Sequence, residues 1–225
     1  MRLLFSATTL LLLSLAACSS DQIQHLRDTK KIAVEAANWE VKRIMPADLL
    51  HAARWAGDTL TRTADRELRR LLKAKLEEGG VAAALPYCRP ESYASTDSMA
   101  RILQAKPRRV SSRPRNREHL ASLPAAQLQS DTTRLVVRPS AEVFTYQRPI
   151  VLDDALCLRC HGSVGGDITA ADDALIKKNY PRDQATGYRL GQVMGVWQVE
   201  LARPGVAEFY TMKTRKVMKP RPKLF

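Results

Sequence analysis

Two cysteines and a histidine stand in one short run, Cys157-Leu158-Arg159-Cys160-His161-Gly162, and any fold this chain adopts must present that run to a common partner. On a helical turn, residues three apart share a side, so both thiols face the same way and the imidazole follows directly after them. Cys-x-x-Cys-His is the attachment sequence of c-type haem: the thiols add to the two vinyl groups along one porphyrin edge and the histidine reaches the iron. Gly162 reads as removing bulk where chain and macrocycle meet. With four cysteines and four histidines in 225 positions, chance yields this triplet roughly 0.001 times, so the spacing is specific. Two plainer readings compete. A thioredoxin-like disulfide would want a cytosolic or βαβ context. A zinc site would need a further ligand from His25, His51, His119 or Cys88, and no second paired motif supplies one.

The N-terminus bears on the redox compartment. Residues 1–17 carry Arg2, an apolar stretch around Leu10 to Leu13, and the ending Leu15-Ala16-Ala17 before Cys18. That reads as an export signal, too short and too often interrupted by Ser and Thr for a bilayer crossing. Leu-Ala-Ala-Cys resembles the lipobox of bacterial lipoproteins, which makes Cys18 the expected lipidation site. The alternative is a simple secretory signal cut beside a chance cysteine. Acyl chains would hold the chain on a membrane surface, and by resemblance to known sorting behaviour Ser19 points to the outer membrane, on its periplasmic face. The charge is +13, from 36 Lys and Arg against 23 Asp and Glu. A basic exported protein is expected to meet an acidic redox partner or anionic lipid, and no nucleic acid.

Along the chain, residues 29–45 place Ile32, Ala33, Ala36, Ala37, Val41 and Ile44 at helical spacing. After Pro46 a stripe from Leu49 to Leu76 resumes that period until Gly79-Gly80, where a helix should end. A short helix from Val81 would carry Cys88 near its end, before Pro90. Residues 106–118, basic and interrupted by two prolines, read as a strand or extended loop, and 118–128 as a short helix. Leu135–Val137, Val143–Tyr146 and Gln192–Leu201 read as strands. Thr169–Asn179 reads as a helix capped by Thr169 with Asp172 and Asp173 in its first turn. Helices followed by a mixed antiparallel part make the class α+β. The expected organisation is a signal over 1–17, a spacer and helix over 18–44, the main domain over 45–201, and a basic tail over 202–225.

Haem iron has a second axial position, and the ligand there sets the potential. Cys88, His51, His119, Met45, Met99, Met194 and Met212 are candidates on the residues alone. Cys88 stands out because lipid at Cys18 and haem at Cys157 and Cys160 leave it without a partner thiol, either buried and inert or bound to metal. Arg109, Arg113 and Arg115 can pair with haem propionates or form a solvated basic face. Tyr146 and Tyr188 either line the pocket or belong to the core.

Several blocks together resemble the small PAS-like c-type haem domain family of the Tll type, formerly a domain of unknown function. They are residues 80–88 ending in Cys88, Arg109-Val110-Ser111-Ser112-Arg113-Pro114-Arg115-Asn116, Tyr146-Gln147-Arg148-Pro149-Ile150 ahead of the cysteine motif, and Tyr180 to Tyr188 with Gly191 and Gly195. The resemblance implies a PAS-like antiparallel sheet with long N-terminal helices, one covalent haem c, a proximal ligand at His161 and a distal one at Cys88. Ser112, Arg113 and the run Asn116-Arg117-Glu118-His119 depart from the family pattern. The expected function is a lipid-anchored monohaem cytochrome in envelope electron transfer or redox sensing. The alternative is a gas sensor in which Cys88 leaves the iron on reduction. An enzyme such as a peroxidase ranks last, since nothing beyond the haem supplies catalytic residues, and a haem that merely staples the fold stays open.

Overall fold

The computed structural model describes residues 44–121 and 134–214. The segment expected to be an export signal, Cys18, the 29–43 stripe and most of the 118–128 segment therefore lie outside the described residues. The fold is α+β, built on a four-stranded antiparallel sheet and one long helix.

Helix α1 spans Pro46–Ala84, 39 residues. Pro46 opens it, in the position where a missing N–H costs nothing, and the Asp48 carboxylate accepts the Met45 N–H at 2.9 Å. The expected break falls at the glycine pair: Gly79 and Gly80 have non-helical backbone angles, and Gly80 sits at φ +63°, a conformation only glycine adopts without penalty. Residues 81–84 resume the helix, a single tight turn over Leu85–Tyr87 follows, and Cys88 comes directly after it. Helix α2, Ala94–Ile102, follows, burying Thr96 and Ala100.

Strands β1 (Ala105–Val110), β2 (Leu135–Val137), β3 (Val143–Val151) and β4 (Val193–Ala202) lie in the order β1-β4-β3-β2. Between β3 and β4 come α3 (Leu158–His161) and α4 (Ala170–Asn179). Thr169 caps α4 as expected, its hydroxyl accepting the Asp172 N–H at 3.1 Å. The packed unit does not stop at 201. Helix α5, Arg203–Thr214, lies against α1, with Val206 and Phe209 buried in the main core, so the tail expected from 202 begins with a docked amphipathic helix.

Strand register divides the α1-facing side of the sheet into two zones. Phe144 lies opposite Leu201 and Tyr146 opposite Val199, and these pack on Leu49, Ala52, Ala53, Ala56 and Leu60 of α1. Each large side chain so buried contributes roughly 1.5–3 kcal/mol. Two residues further along, the same face carries Arg109, Trp197 and Arg148 in one cross-strand row. There the second half of α1 stands off the sheet and a cavity opens.

Candidate functional site

β3 delivers the chain to the cavity edge. Asp154 starts a tight turn over Ala155–Cys157, its carboxylate accepting the Leu156 N–H at 3.0 Å, and this turn runs straight into α3. Cys157, Cys160 and His161 thus sit on continuous helical turns and line one cavity of about 680 Å³, within the range of small-molecule and cofactor sites. Leu68, Leu72 and Leu76 of α1 form one wall, Arg148 and Ile150 of β3 another, and Leu85 and Cys88 close a third. Residues 69 positions apart are therefore brought to the same space. A second cavity of about 360 Å³ adjoins it, also bordered by Cys88 and His161.

The His161 ring is fixed in one orientation and kept neutral. Its Nδ1 lies 2.7 Å from the Ala185 carbonyl oxygen, so Nδ1 carries the proton and Nε2 keeps its lone pair. Burial, followed by the charge of Arg115, pushes its pKa down to about 3, leaving the ring neutral. Burial likewise pushes the Cys157 thiol up to about 12 and the Cys160 thiol up to about 11. Among the described residues no three His, Cys, Asp or Glu side chains are grouped to hold a bare metal ion.

The other candidates for the second axial position separate. His51 stacks edge-on against Trp55 on the exposed face of α1, with ring centroids 6.3 Å apart. Met45 and Met212 are exposed, and Met99 packs on the main core. His119 borders only the smaller cavity and pairs with Glu91 at 3.4 Å. Cys88 and Met194 remain, both lining both cavities.

The arginines separate too. Arg115 borders both cavities, its Nε and Nη2 each 3.2 Å from Asp183 and its Nη2 2.5 Å from the Cys160 carbonyl. Its Nη1 is buried with no partner, a donor suited to a carboxylate oxygen brought by a ligand. Arg109 borders the same space, donating from Nε to Glu91 and from Nη2 to the Cys88 carbonyl, both at 2.7 Å. Burial opposes its charge, but Cys88 and Glu91 more than offset this and raise its pKa. Arg113 does not reach the larger cavity. It donates to the Gln184 carbonyl at 3.1 Å and to that of Thr186, and lies 4.7 Å over the Tyr188 ring, bracing the 184–188 loop.

Neither tyrosine lines the cavities. Tyr146 is core: its hydroxyl donates to Asp58 at 2.7 Å and its ring covers Gly57. Tyr188 packs behind the cysteine turn with Leu152 and Ala185, its N–H donating to the His161 carbonyl at 2.9 Å. Gly162 also leaves room for a protein neighbour: a Cβ there would lie 2.5 Å from the Asp167 side chain, whose carboxylate accepts from Ser163 N and Oγ at 2.9 and 2.7 Å.

Sequence reasoning missed Arg148, Asp65 and Arg69. Asp65 accepts from Trp197 Nε1 at 3.0 Å and from Arg148, while Arg69 pairs with Asp153 at 2.7 Å. A charged residue within the apolar stripe of α1, such as Asp65 between Ala64 and Leu68, was the available signal.

The Tll0287-like family model matches residues 18–202 of the chain. Among solved structures, one described as "Crystal structure of the cyanobacterial heme-protein Tll0287" is 20% identical, the alignment covering 63% of this chain and 92% of that chain with a TM-score of 0.43. No curated protein matches.

Proposed function

From the premise that the chain belongs to the Tll0287-like family, we propose that it is a monohaem protein whose haem is attached covalently through Cys157 and Cys160. One observation carries the reading: two thiols, an imidazole with its Nε2 lone pair free, and a third thiol from a distant segment border one cavity of about 680 Å³. His161 is the proximal ligand, held in its tautomer by Ala185, and Cys88 the distal one. Arg115 Nη1 and the cavity side of Arg109 receive propionate oxygens. When bound, the haem supplies a one-electron ferric/ferrous couple, and an anionic thiolate ligand favours the ferric state. The apolar wall of Leu68, Leu72 and Leu76 keeps water from the iron and lowers the local dielectric.

The role is electron transfer or redox sensing in the cell envelope. The Leu15-Ala16-Ala17-Cys18 ending supports lipidation at Cys18 and a place on the periplasmic face of the outer membrane, and the basic composition supports an acidic redox partner. The test compares absorption and low-temperature electron paramagnetic resonance spectra of the exported protein, Cys88→Ser and Met194→Leu. A low-spin ferric thiolate signal lost in C88S alone is the expected result. A signal unchanged by C88S overturns the distal assignment.

The smaller cavity beside Cys88 favours a second reading, in which Cys88 leaves the ferrous iron and a gas takes its place. A ferrous spectrum that carbon monoxide does not alter excludes it.

A further inference from the structure

Four groups form one chain of contacts from the outside of the smaller cavity to the Cys88 segment. His119 Nε2 lies 3.4 Å from Glu91 Oε1, Glu91 Oε2 accepts from Arg109 Nε at 2.7 Å, and Arg109 Nη2 donates to the Cys88 carbonyl at 2.7 Å. Both charged side chains in the middle are largely removed from solvent, Arg109 at 18% and Glu91 at 14% exposure. Arg109 is also fixed from behind. It belongs to β1, directly opposite Trp197 on β4 in the cross-strand row whose Arg109 and Arg148 line the larger cavity, and Ser111, two residues on, is anchored to the Met194 carbonyl at 2.6 Å. A strand-borne guanidinium held at both Nε and Nη2 cannot swing away, so its charge is a permanent part of the cavity wall.

We infer that Arg109 is a positioning residue that both holds the Cys88 segment at the iron and, with Glu91 as its counterweight, sets the reduction potential of the bound haem. The inference rests on the haem reading above. Reduction takes ferric iron to ferrous with one electron from an external reductant and breaks no bond in the protein. The added negative charge is stabilised by a fixed positive group and opposed by a fixed negative one, and partial exclusion of water strengthens both effects. Arg109 therefore raises the potential that the thiolate would otherwise lower, and Glu91 trims that rise. Nothing about a simple strut predicts opposite signs for two groups that bond to each other.

The experiment is a mediated redox titration of the exported holoprotein at pH 7.5 with dithionite, with resonance spectra taken on the same samples, for wild type, Arg109→Gln, Arg109→Lys and Glu91→Gln. At fixed potential the ferrous-to-ferric ratio is expected to fall about tenfold in R109Q, which for one electron is about 59 mV. It should rise several-fold in E91Q and stay within about twofold of wild type in R109K, where the charge is kept, while the ligand signature persists. Shifts of the same sign in R109Q and E91Q, or no shift in either, overturn the inference. If R109Q fails to accumulate, E91Q and R109K decide alone: an E91Q ratio that does not rise overturns it. A pyridine haemochrome assay of the wild type keeps the two readings apart, because a protein without covalent haem overturns both, whereas loaded protein with same-sign shifts overturns only this one.

Discussion

The Nδ1 atom of His161 lies 2.7 Å from the carbonyl oxygen of Ala185, 24 residues further along the chain. That contact decides which imidazole nitrogen faces the cavity, and it depends on a loop held in several places. Ala185 itself donates to Asp183 at 2.9 Å, Gly187 donates to Gly162 at 2.7 Å and Tyr188 to the His161 carbonyl. Gly187 does so from φ +74°, where a side chain would be strained.

Asp183 joins this loop to Arg115, with side-chain exposures of 2% and 10%. Asp183→Ala leaves a buried guanidinium uncompensated and frees the Ala185 segment, at a cost of about 3–5 kcal/mol. Thermal denaturation should show a lowered midpoint, and the haem absorption of the surviving protein should broaden as the His161 ring loses its fixed orientation. An unchanged midpoint would contradict the role given to the pair.

Leu72 is half-buried because it faces a cavity rather than packed side chains. Leu72→Trp should fill that space at a cost under about 1 kcal/mol, since overpacking strain arises where no room exists. Haem content per protein, read from the absorbance ratio, should fall at least several-fold while the apoprotein melts as before.

Gly57 has no such room. A Cβ there would meet the Tyr146 ring at 2.3 to 2.7 Å, and the ring is anchored by its hydroxyl to Asp58. Gly57→Ala should cost at least the roughly 1–3 kcal/mol of ordinary overpacking. Adding Tyr146→Leu should recover part of the loss, a non-additivity that denaturant titration can read.

His119 supplies a pH dependence. Burial, with help from Arg109 and Arg108 against Glu91 and Glu118, lowers its pKa below the ordinary histidine range. As pH falls through about 6.5 the unfolded chain takes up the proton first, so stability present above that value is lost toward the lower folded pKa. Melting midpoints from pH 7.5 to 5 should fall more steeply for wild type than for His119→Gln. Parallel curves would show that His119 contributes no linkage.

Much of the scaffold was legible locally. Gly79-Gly80 marked the break in α1, Thr169 with Asp172 marked the start of α4, and the alternating bulk of residues 193–201 marked β4. These signals depend on neighbours within one or two turns. Helices α2 and α5 are short, and the side chains that stand at helical spacing in them or at their ends, Ala100 with Leu103 and Val206 with Phe209, are buried in the core they share with α1, a partner the local sequence does not display. Arg113 and Tyr146 were indistinguishable from pocket residues in sequence. Their partners, the Gln184 and Thr186 carbonyls and Asp58, lie 71 to 88 residues away.

The chemistry of one turn is local: Cys160 and His161 lie three and four residues after Cys157, the spacings that share a side with it on a helical turn. Which groups complete that turn was decided only by tertiary structure. Strand register aligned Arg109 with Trp197 and Arg148, the end of α1 carried Cys88 to the same cavity, and the folding back of residues 180–188 set Ala185 on His161. These are contacts between segments remote along the chain, and they follow from how the sheet and α1 share one core.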